Sequence, residues 1–550
     1  MKLLEIRAWK EKLVFTFEGA QEGGKIKISA RVPLVCGPKD DSFVEGRIVY
    51  EKECIIADGK AEIDRYAGKI DLLVYRFDCG CDGVCYVTDV EPEVARLDTP
   101  RPTLPLKSIS SYALMEDFAD LGMHQSVLEP NQADLMVAHD GEDAEPYEYD
   151  GKTYFMKKSA VAEIDEVLAP QAQQGIAVTM PYFNSSFFIG EKADQEIVDI
   201  IQHPGYDYDY SSNYIGAFNL RTEEGFGHFC ACTDYLLNRY TRPDRKYGWA
   251  MGFVMGNEVT SQYVWGNAGE MTCAEYMHEY TEVMRIAWLL SRKYWTGFSV
   301  YTCFDQYFAG RHEPNPLRFY GMKECLEEIL ACSLRDGNFP WGVAFHPYPE
   351  NLSYPDFWND RGVNWSFETG KITFKNIEVM PAFLSQPQFL YRGQMRHMAL
   401  TEQGFNSRED ADYTLEQGKY GYVLAYQKIK KLQNFDIFTH HGYVDNPGEF
   451  GLNLGIRYYG GGAFNEKRYE NPGPRKPICE AIAAMDTDRE EAMVAEARAY
   501  IGEKIWDYMM NPPEVAETID HSKGGLNLPG QGNRKGKKDK KEETKANFDT

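Results

Sequence analysis

From about residue 105 onward, short apolar runs alternate with helical segments, and this rhythm limits the possible folds more than any other feature of the chain. Eight strand-like runs can be counted: "LKSISSY", "HQSVLEPN", "IAVTMPYFN", "WAMGFVMGNEV", "FSVYTCFDQ", "WGVAFHPYPEN", "RHMALTEQGF" and "FDIFTHHGYVDN". Each but the last is followed by at least one helix or a long insertion. Segments such as "SAVAEIDEVLAPQAQQG" and "AEYMHEYTEVMRIAWLLSRKY" carry apolar residues at helical spacing, and Gly175 sits where a helix would end. Apolar strands alternating with helices imply a parallel sheet covered on both faces. Eight such units predict a closed α/β barrel of the (β/α)8, or TIM, type. The region is longer than the roughly 250 residues typical of that fold, so its loops must be long. Residues 185–225 and 349–388 are the main candidates for insertions.

The chain before this region has a different pattern. "KLVFTFEG", "KIKISARVPLV", "GRIVYEKECII", "KIDLLVYRFD" and "VCYVTDV" are short, β-prone and separated by turn residues, which predicts a small antiparallel β-sandwich. The Pro-rich "EPEVARLDTPRPTLP" looks like the boundary. The expected organisation is therefore a sandwich-like domain over 1–98, a barrel over 99–510 and a low-complexity, locally basic, disordered tail over 511–550.

Composition narrows the function. A formal charge of −25 argues against nucleic acid or an anionic membrane as partner. The N-terminus lacks an unbroken apolar leader, and no run reaches membrane-spanning length, so a cytoplasmic location is expected. Twelve Cys residues would then be mostly reduced. The one tight cluster, Cys79, Cys81 and Cys85 in "CGCDGVC", lacks a second ligand pair at zinc spacing and reads as a Gly-bearing turn. No cofactor or metal is expected.

In such a barrel the residues just past the carboxyl ends of the strands face the active site. Those ends supply Glu129 and Asn131, Tyr182 and Asn184, Asn257 and Glu258, Asp305 and Gln306, His346 and Tyr348, Glu402 and Gln403, then His440 and His441. Glu258 and Glu402 stand on opposed strands, four and seven. Two facing carboxyl groups suit glycosidic cleavage, where one stays protonated to serve the leaving oxygen and the other stays ionised. Asn257 is placed to hold a sugar 2-hydroxyl, and Tyr348 to donate to Glu402 and keep it charged. Each residue also has a plainer reading. Glu258 and Glu402 could be helix N-terminal acids, His346 a core histidine and Asp305 a loop anchor. Of the adjacent pair, only one of His440 and His441 can face inward; His440 is taken as that one, and with Asn184, Asp305 and His346 it joins Asn257, Tyr348 and Trp265 as the expected substrate-binding residues. The aromatic loop "YDYDYSSNYIGAFN" with Tyr263, Trp265 and Trp341 fits a sugar cleft, and Trp265, just past Glu258, is the best subsite candidate.

"GNE", "HPY" and "LTEQGF", closing strands four, six and seven, resemble the retaining, clan A type of barrel glycoside hydrolases. The longer strings "GNEVTSQYVWGNAGEMT", "FPWGVAFHPYPENL" and "TFKNIEVMPAFLSQPQFLYRGQ" are similar to an uncharacterised bacterial family grouped with such hydrolases, over roughly residues 85–510. The resemblance implies Glu258 as acid/base, Glu402 as nucleophile, and Asn257 and Tyr348 as supports. It also implies a retaining glycosidase acting on an oligosaccharide or polysaccharide. One departure is plain: the resembled barrels usually close strand eight with a Trp under the sugar, whereas this chain has "FTHHGY". The alternatives are a non-catalytic sugar-binding or scaffold protein on a lapsed barrel, and a metal-dependent barrel hydrolase using His346, His440 or His441. The latter usually carries an HxH pair on strand one, absent from "LKSISSY".

Overall fold

The computed structural model describes residues 1–35, 46–186, 193–209, 215–461 and 469–518. The expected disordered tail lies mostly outside these residues, as does the middle of the aromatic loop. The eight expected strands form a closed barrel: β1 (Lys107–Ser110), β2 (Gln125–Val127), β3 (Ala177–Tyr182), β4 (Ala250–Met255), β5 (Ser299–Tyr301), β6 (Trp341–Ala344), β7 (Met398–Leu400) and β8 (Phe435–Thr439). All neighbours run parallel, and the ring closes where Lys107 and Ser108 of β1 pair with Phe438 and Thr439 of β8. All six residues of both β3 and β4 are buried, as expected for strands covered by side chains within and helices without.

The barrel interior is solid. Val127, Val254, Tyr301, Cys303, Ala344, Ala399 and Ile437, drawn from β2 and from β4 to β8 or their ends, pack there as a core of their own. Gly342 and Gly252 make room for the Tyr301 ring, which a Cβ at position 252 would meet at 3.1 Å and one at position 342 closer still, and the ring's hydroxyl donates to Asp436 at the amino-terminal end.

The principal helices are α1 (Met115–Leu121), α2 (Lys158–Gln173), α3 (Glu223–Tyr240), α4 (Cys273–Ser291), α5 (Met322–Asp336), α6 (Val379–Leu384), α7 (Tyr413–Lys431) and α8 (Ile478–Ala484). Their limits follow local chemistry. Thr272 caps α4, accepting from Glu275 N–H while the Glu275 carboxylate accepts from Thr272 N–H. Gly175, at φ +78°, ends α2 in the left-handed conformation that glycine adopts without a Cβ penalty. None of the described helices is long and apolar enough to cross a membrane.

Two small sheets precede the barrel. In one, Lys12–Glu18 pairs with both Lys2–Ala8 and Lys60–Asp64; in the other, Lys25–Arg31 pairs with both Ile48–Ile55 and Arg76–Asp78. They meet face to face, with Phe15 and Phe77 in edge contact at 5.2 Å. Lys2–Ala8 was not among the expected strands, although its burial alternates. The run "KIDLLVYRFD" is not one strand: Asp71 turns it into a short 3-10 helix, Leu72–Val74, by accepting from Leu73 N–H. Asp82–Gly83 and Asp89–Val90 add to Lys2–Ala8 in parallel, so the first sheet is mixed. Cys79, Cys81 and Cys85 are free thiols around the intervening turn.

Inserted segments shape the rim. A hairpin, Ala144–Tyr149 with Lys152–Lys157, lies between β2 and α2. The long connection after β8 is held by buried charge. Asp117 on α1 accepts from Tyr443 at 2.6 Å, from Arg457 Nε at 2.6 Å and from Arg475 Nε at 2.7 Å. Burial works against the carboxylate, but these donors hold Asp117 below its ordinary pKa.

Candidate active site

At the end of β4 the chain turns sharply. Gly256 has φ +72°, and Glu258 itself sits at φ +35°, a left-handed conformation costly for a residue with a long side chain. The turn is pinned to the end of β5. Glu258 N–H points to Cys303 Sγ at 3.4 Å, and Val259 N–H donates to Cys303 O at 2.9 Å. Although Glu258 precedes the 3-10 helix Val259–Ser261, its carboxylate makes no capping bond. The helix-acid reading is thereby excluded. Its Oε1 meets His346 Nδ1 at 2.9 Å instead.

His346 follows β6 and is fixed by backbone: its N–H donates to Phe304 O at 3.0 Å. Its ring lies between the two glutamates, with Nδ1 3.9 Å from Glu402 Oε2. Nε2 is 3.5 Å from both Cys303 Sγ and Thr401 Oγ1. Burial disfavours the imidazolium, but Cys303, the Glu402 charge and the hydrogen bond to Glu258 raise His346 well above the ordinary histidine pKa. Glu402, just past β7, accepts from Tyr348 Oη at 2.9 Å. Burial would push its carboxyl up; His346, His441 and the Tyr348 hydroxyl outweigh it and hold Glu402 low. Oxygens of Glu258 and Glu402 and a ring nitrogen of His346 all lie within 4.8 Å of one another. The glutamate side chains are 20% and 31% exposed, so both carboxylates are open to a ligand.

Tyr348→Phe deletes only the hydroxyl that Glu402 accepts from. It is expected to lower kcat/KM by about 10- to 100-fold, the scale of one lost hydrogen bond to a charged group. Loss of that donor should raise the Glu402 pKa, so for any activity that needs the ionised carboxylate the acidic limb of the pH–rate profile should move toward neutral pH. An acidic limb unmoved in the variant would show that the phenol does not set the state of Glu402.

The other candidates divide. Asn257 precedes Glu258 and is half-buried, with Oδ1 3.8 Å from Cys303 Sγ, and Trp265, also half-buried, ends the short helix Gln262–Trp265 that follows the turn. Asp305 is buried under the β4 turn, where Oδ2 accepts from Ser261 Oγ and Oδ1 from Tyr307 N–H, each at 2.8 Å. Burial and the Glu258 charge push it up to about 7. It anchors the loop. Asn184 does not face the cleft: it is buried, and its amide donates to Ile201 O and Ala217 O, both at 3.0 Å, tying the connection after β3. His440 also turns away. It is buried between Phe405 and Tyr422, its Nε2 is bonded to Leu454 O at 3.0 Å, and burial pushes it down to about 3. His441 is the one that faces out, 38% exposed and 2.7 Å from Glu449. Trp341 is likewise core, donating to Ser333 Oγ on α5 at 3.0 Å. Tyr263 is buried and bonded to Asp207.

Sequence reasoning gave no role to Cys303 or Glu129, and favoured His440 over His441. Strand-end position was the available signal for all three. Among the described residues, two groups could hold a metal ion: Glu258 with His346 and Glu402, and the buried set His278, Glu282 and Asp336. In the second, Arg285 Nε already lies 3.4 Å from Glu282, where a cation would compete with it.

The sequence matches, over residues 104–509, the family described as "Family of unknown function (DUF5722)". No curated protein matches the chain. Similar solved structures include a family 39 glycoside hydrolase from the gut symbiont Bacteroides cellulosilyticus WH2, 12% identical, covering 88% of this chain and 81% of that one with a TM-score of 0.41. A GH5_18 from Bifidobacterium longum subsp. infantis is 11% identical, covering 72% and 79%, with a TM-score of 0.41. A family 1 β-glucosidase from Thermotoga maritima is 9% identical, covering 67% and 84%, with a TM-score of 0.40.

Proposed function

We propose that this chain, which belongs to the DUF5722 family of unknown function, is a retaining glycoside hydrolase with Glu402 as nucleophile and Glu258 as acid/base. One observation carries the reading: carboxylate oxygens from the ends of β4 and β7 lie within 4.8 Å of each other at the barrel mouth. Retention calls for carboxyl groups about 5–5.5 Å apart, whereas inversion needs roughly 6.5–9.5 Å to admit a water. The electrostatics suit the nucleophile role, since Glu402 is held below its ordinary pKa.

In the first step Glu402 attacks the anomeric carbon. The bond to the leaving oxygen breaks, and that oxygen takes a proton from Glu258. The 2.9 Å bond to His346 lets the pair hold this proton together in the free enzyme. Its delivery leaves a glutamate anion and a neutral imidazole. In the second step Glu258 takes a proton from water, the oxygen attacks the anomeric carbon, and the bond to Glu402 breaks. Asn257, next to Glu258 in the chain, and Trp265, on the short helix after it, are assigned to the bound sugar, and the substrate to the oligosaccharide or polysaccharide class. Residues 99–510 are assigned to the catalytic domain and 1–98 to an accessory layer.

Trapping tests the reading. Incubation with a panel of activated 2-deoxy-2-fluoroglycosides should add one glycosyl unit to Glu402, read by peptide mass spectrometry. A lasting adduct on another residue, or no adduct across the panel, would favour a sugar-binding protein on a lapsed barrel.

A further inference from the structure

Double displacement uses Glu258, His346, Tyr348 and Glu402, and leaves three polar residues on the adjoining rim unexplained. Glu129 follows β2, while His441 and Glu449 follow β8; only β1 lies between those strands. The backbone N–H of His441 donates to Gln403 O at 2.7 Å, which sets the imidazole beside Glu402. Its Nε2 is engaged by Glu449 Oε1 at 2.7 Å, and Nδ1 has no hydrogen-bond partner among the described residues. The loop carrying it is fixed, because Ile456 N–H donates to Gly442 O at 3.1 Å and buried Lys476 pairs with Asp445 at 2.5 Å. Glu129 is half-buried, and among the described residues no other residue donates a hydrogen bond to its carboxylate.

Electrostatics gives the two groups opposite characters. Burial works against the imidazolium, yet Glu402, Glu449 and Glu129 carry His441 up to about 9. Burial and the Glu402 charge push Glu129 up to about 6, against the pull of His441. Near neutral pH an N–H donor and a carboxylate acceptor therefore stand together beside the nucleophile, each short of one partner.

We propose that Glu129 and His441 determine specificity at the subsite beside Glu402, selecting a neutral sugar unit whose free hydroxyl bonds between them. A hydroxyl both accepts and donates, which fits the pair. A uronic acid carboxylate would face Glu129, Glu402 and Glu449, while an ammonium group, which has no lone pair, could not accept from the His441 N–H. A deoxy sugar would leave both protein groups desolvated without a partner, the situation that polar sites discriminate against most strongly.

The inference rests on the glycosidase reading, and its test separates the two. 4-Nitrophenyl glycosides of neutral hexoses and pentoses, of 2-amino-2-deoxyhexoses and of hexuronic acids would be assayed with the full-length protein, followed by the monodeoxy analogues of the best substrate. Turnover should be confined to neutral sugars, with one deoxy analogue about 100-fold poorer in kcat/KM. In Glu129→Ala that ratio should fall below about 5. Glu129→Gln, which keeps an acceptor, should lie between, and His441→Gln should behave like it, with thermal melting confirming that each variant folds. Uronides or amino sugars cleaved as well as neutral ones, or an unchanged ratio in Glu129→Ala and His441→Gln, would overturn the inference and leave the glycosidase reading intact. If no glycoside is cleaved, calorimetry with D-glucose, D-galactose, D-xylose, D-glucosamine and D-glucuronate decides. Binding of a neutral sugar that Glu129→Ala abolishes would uphold the inference without the hydrolase; no binding, or binding indifferent to Glu129, would overturn it.

Discussion

Glu402→Gln is expected to lower kcat by about 10⁴-fold or more, with little change in KM, because the substitution keeps shape and removes only the proposed attacking atom. The amide oxygen can still accept from Tyr348, which lies 2.9 Å from the carboxylate now. His346 keeps its shorter partner, Glu258. Folding should therefore be preserved, and unchanged circular dichroism with normal sugar binding would check it. Glu402→Ala goes further by opening a space beside the anomeric carbon. Azide or formate placed there should restore part of the rate on an activated glycoside, and the glycosyl azide formed should have inverted configuration. Proton NMR of the wild-type product should show retention. Wild-type turnover in Glu402→Gln would remove Glu402 from the mechanism.

The barrel was largely legible in the sequence because β3 and β4 are nearly continuous apolar runs, buried at all six positions, as a sheet covered on both faces demands. The rim was less so. Strand ends could be located, yet the direction of a side chain one or two residues past a strand depends on turns that local sequence does not specify. Asn184 and His440 show this. Both follow a strand, and both are claimed by backbone carbonyls of a connecting loop. Alternation allowed only one of His440 and His441 to face the cleft, and the selection was made by Glu449, eight residues on, and by the bond to Gln403 O. Cys303 was masked by its apolar character: it packs inside the barrel while its sulfur touches His346. The strand Lys2–Ala8 went unread because its charged residues argued first against a leader peptide, and the same alternation marks an edge of buried and exposed faces.

Replacing the proposed acid/base should have a different signature from replacing the proposed nucleophile. Glu258→Ala is expected to slow glycosides with poor leaving groups by about 10³-fold or more, since their departing oxygen needs the proton. Activated aryl glycosides leave without it, so their glycosylation should slow far less, and the later attack by water should become limiting. A burst of aryl alcohol and a lowered KM would report the accumulating glycosyl–enzyme. Azide, which needs no deprotonation, should then accelerate turnover and give a product of retained configuration, opposite to the outcome for Glu402→Ala. The pH profile supplies the sign. His346 is raised well above the ordinary histidine value, so the imidazolium beside Glu258 persists as pH rises through neutrality, and on the proposed mechanism activity should fall when its proton is lost. Without Glu258 the imidazolium persists but has no carboxyl through which to serve the leaving oxygen, and the basic limb should disappear from the profile for activated substrates. A basic limb retained at the same pH in Glu258→Ala would mean that another group delivers the proton, and would reassign the acid.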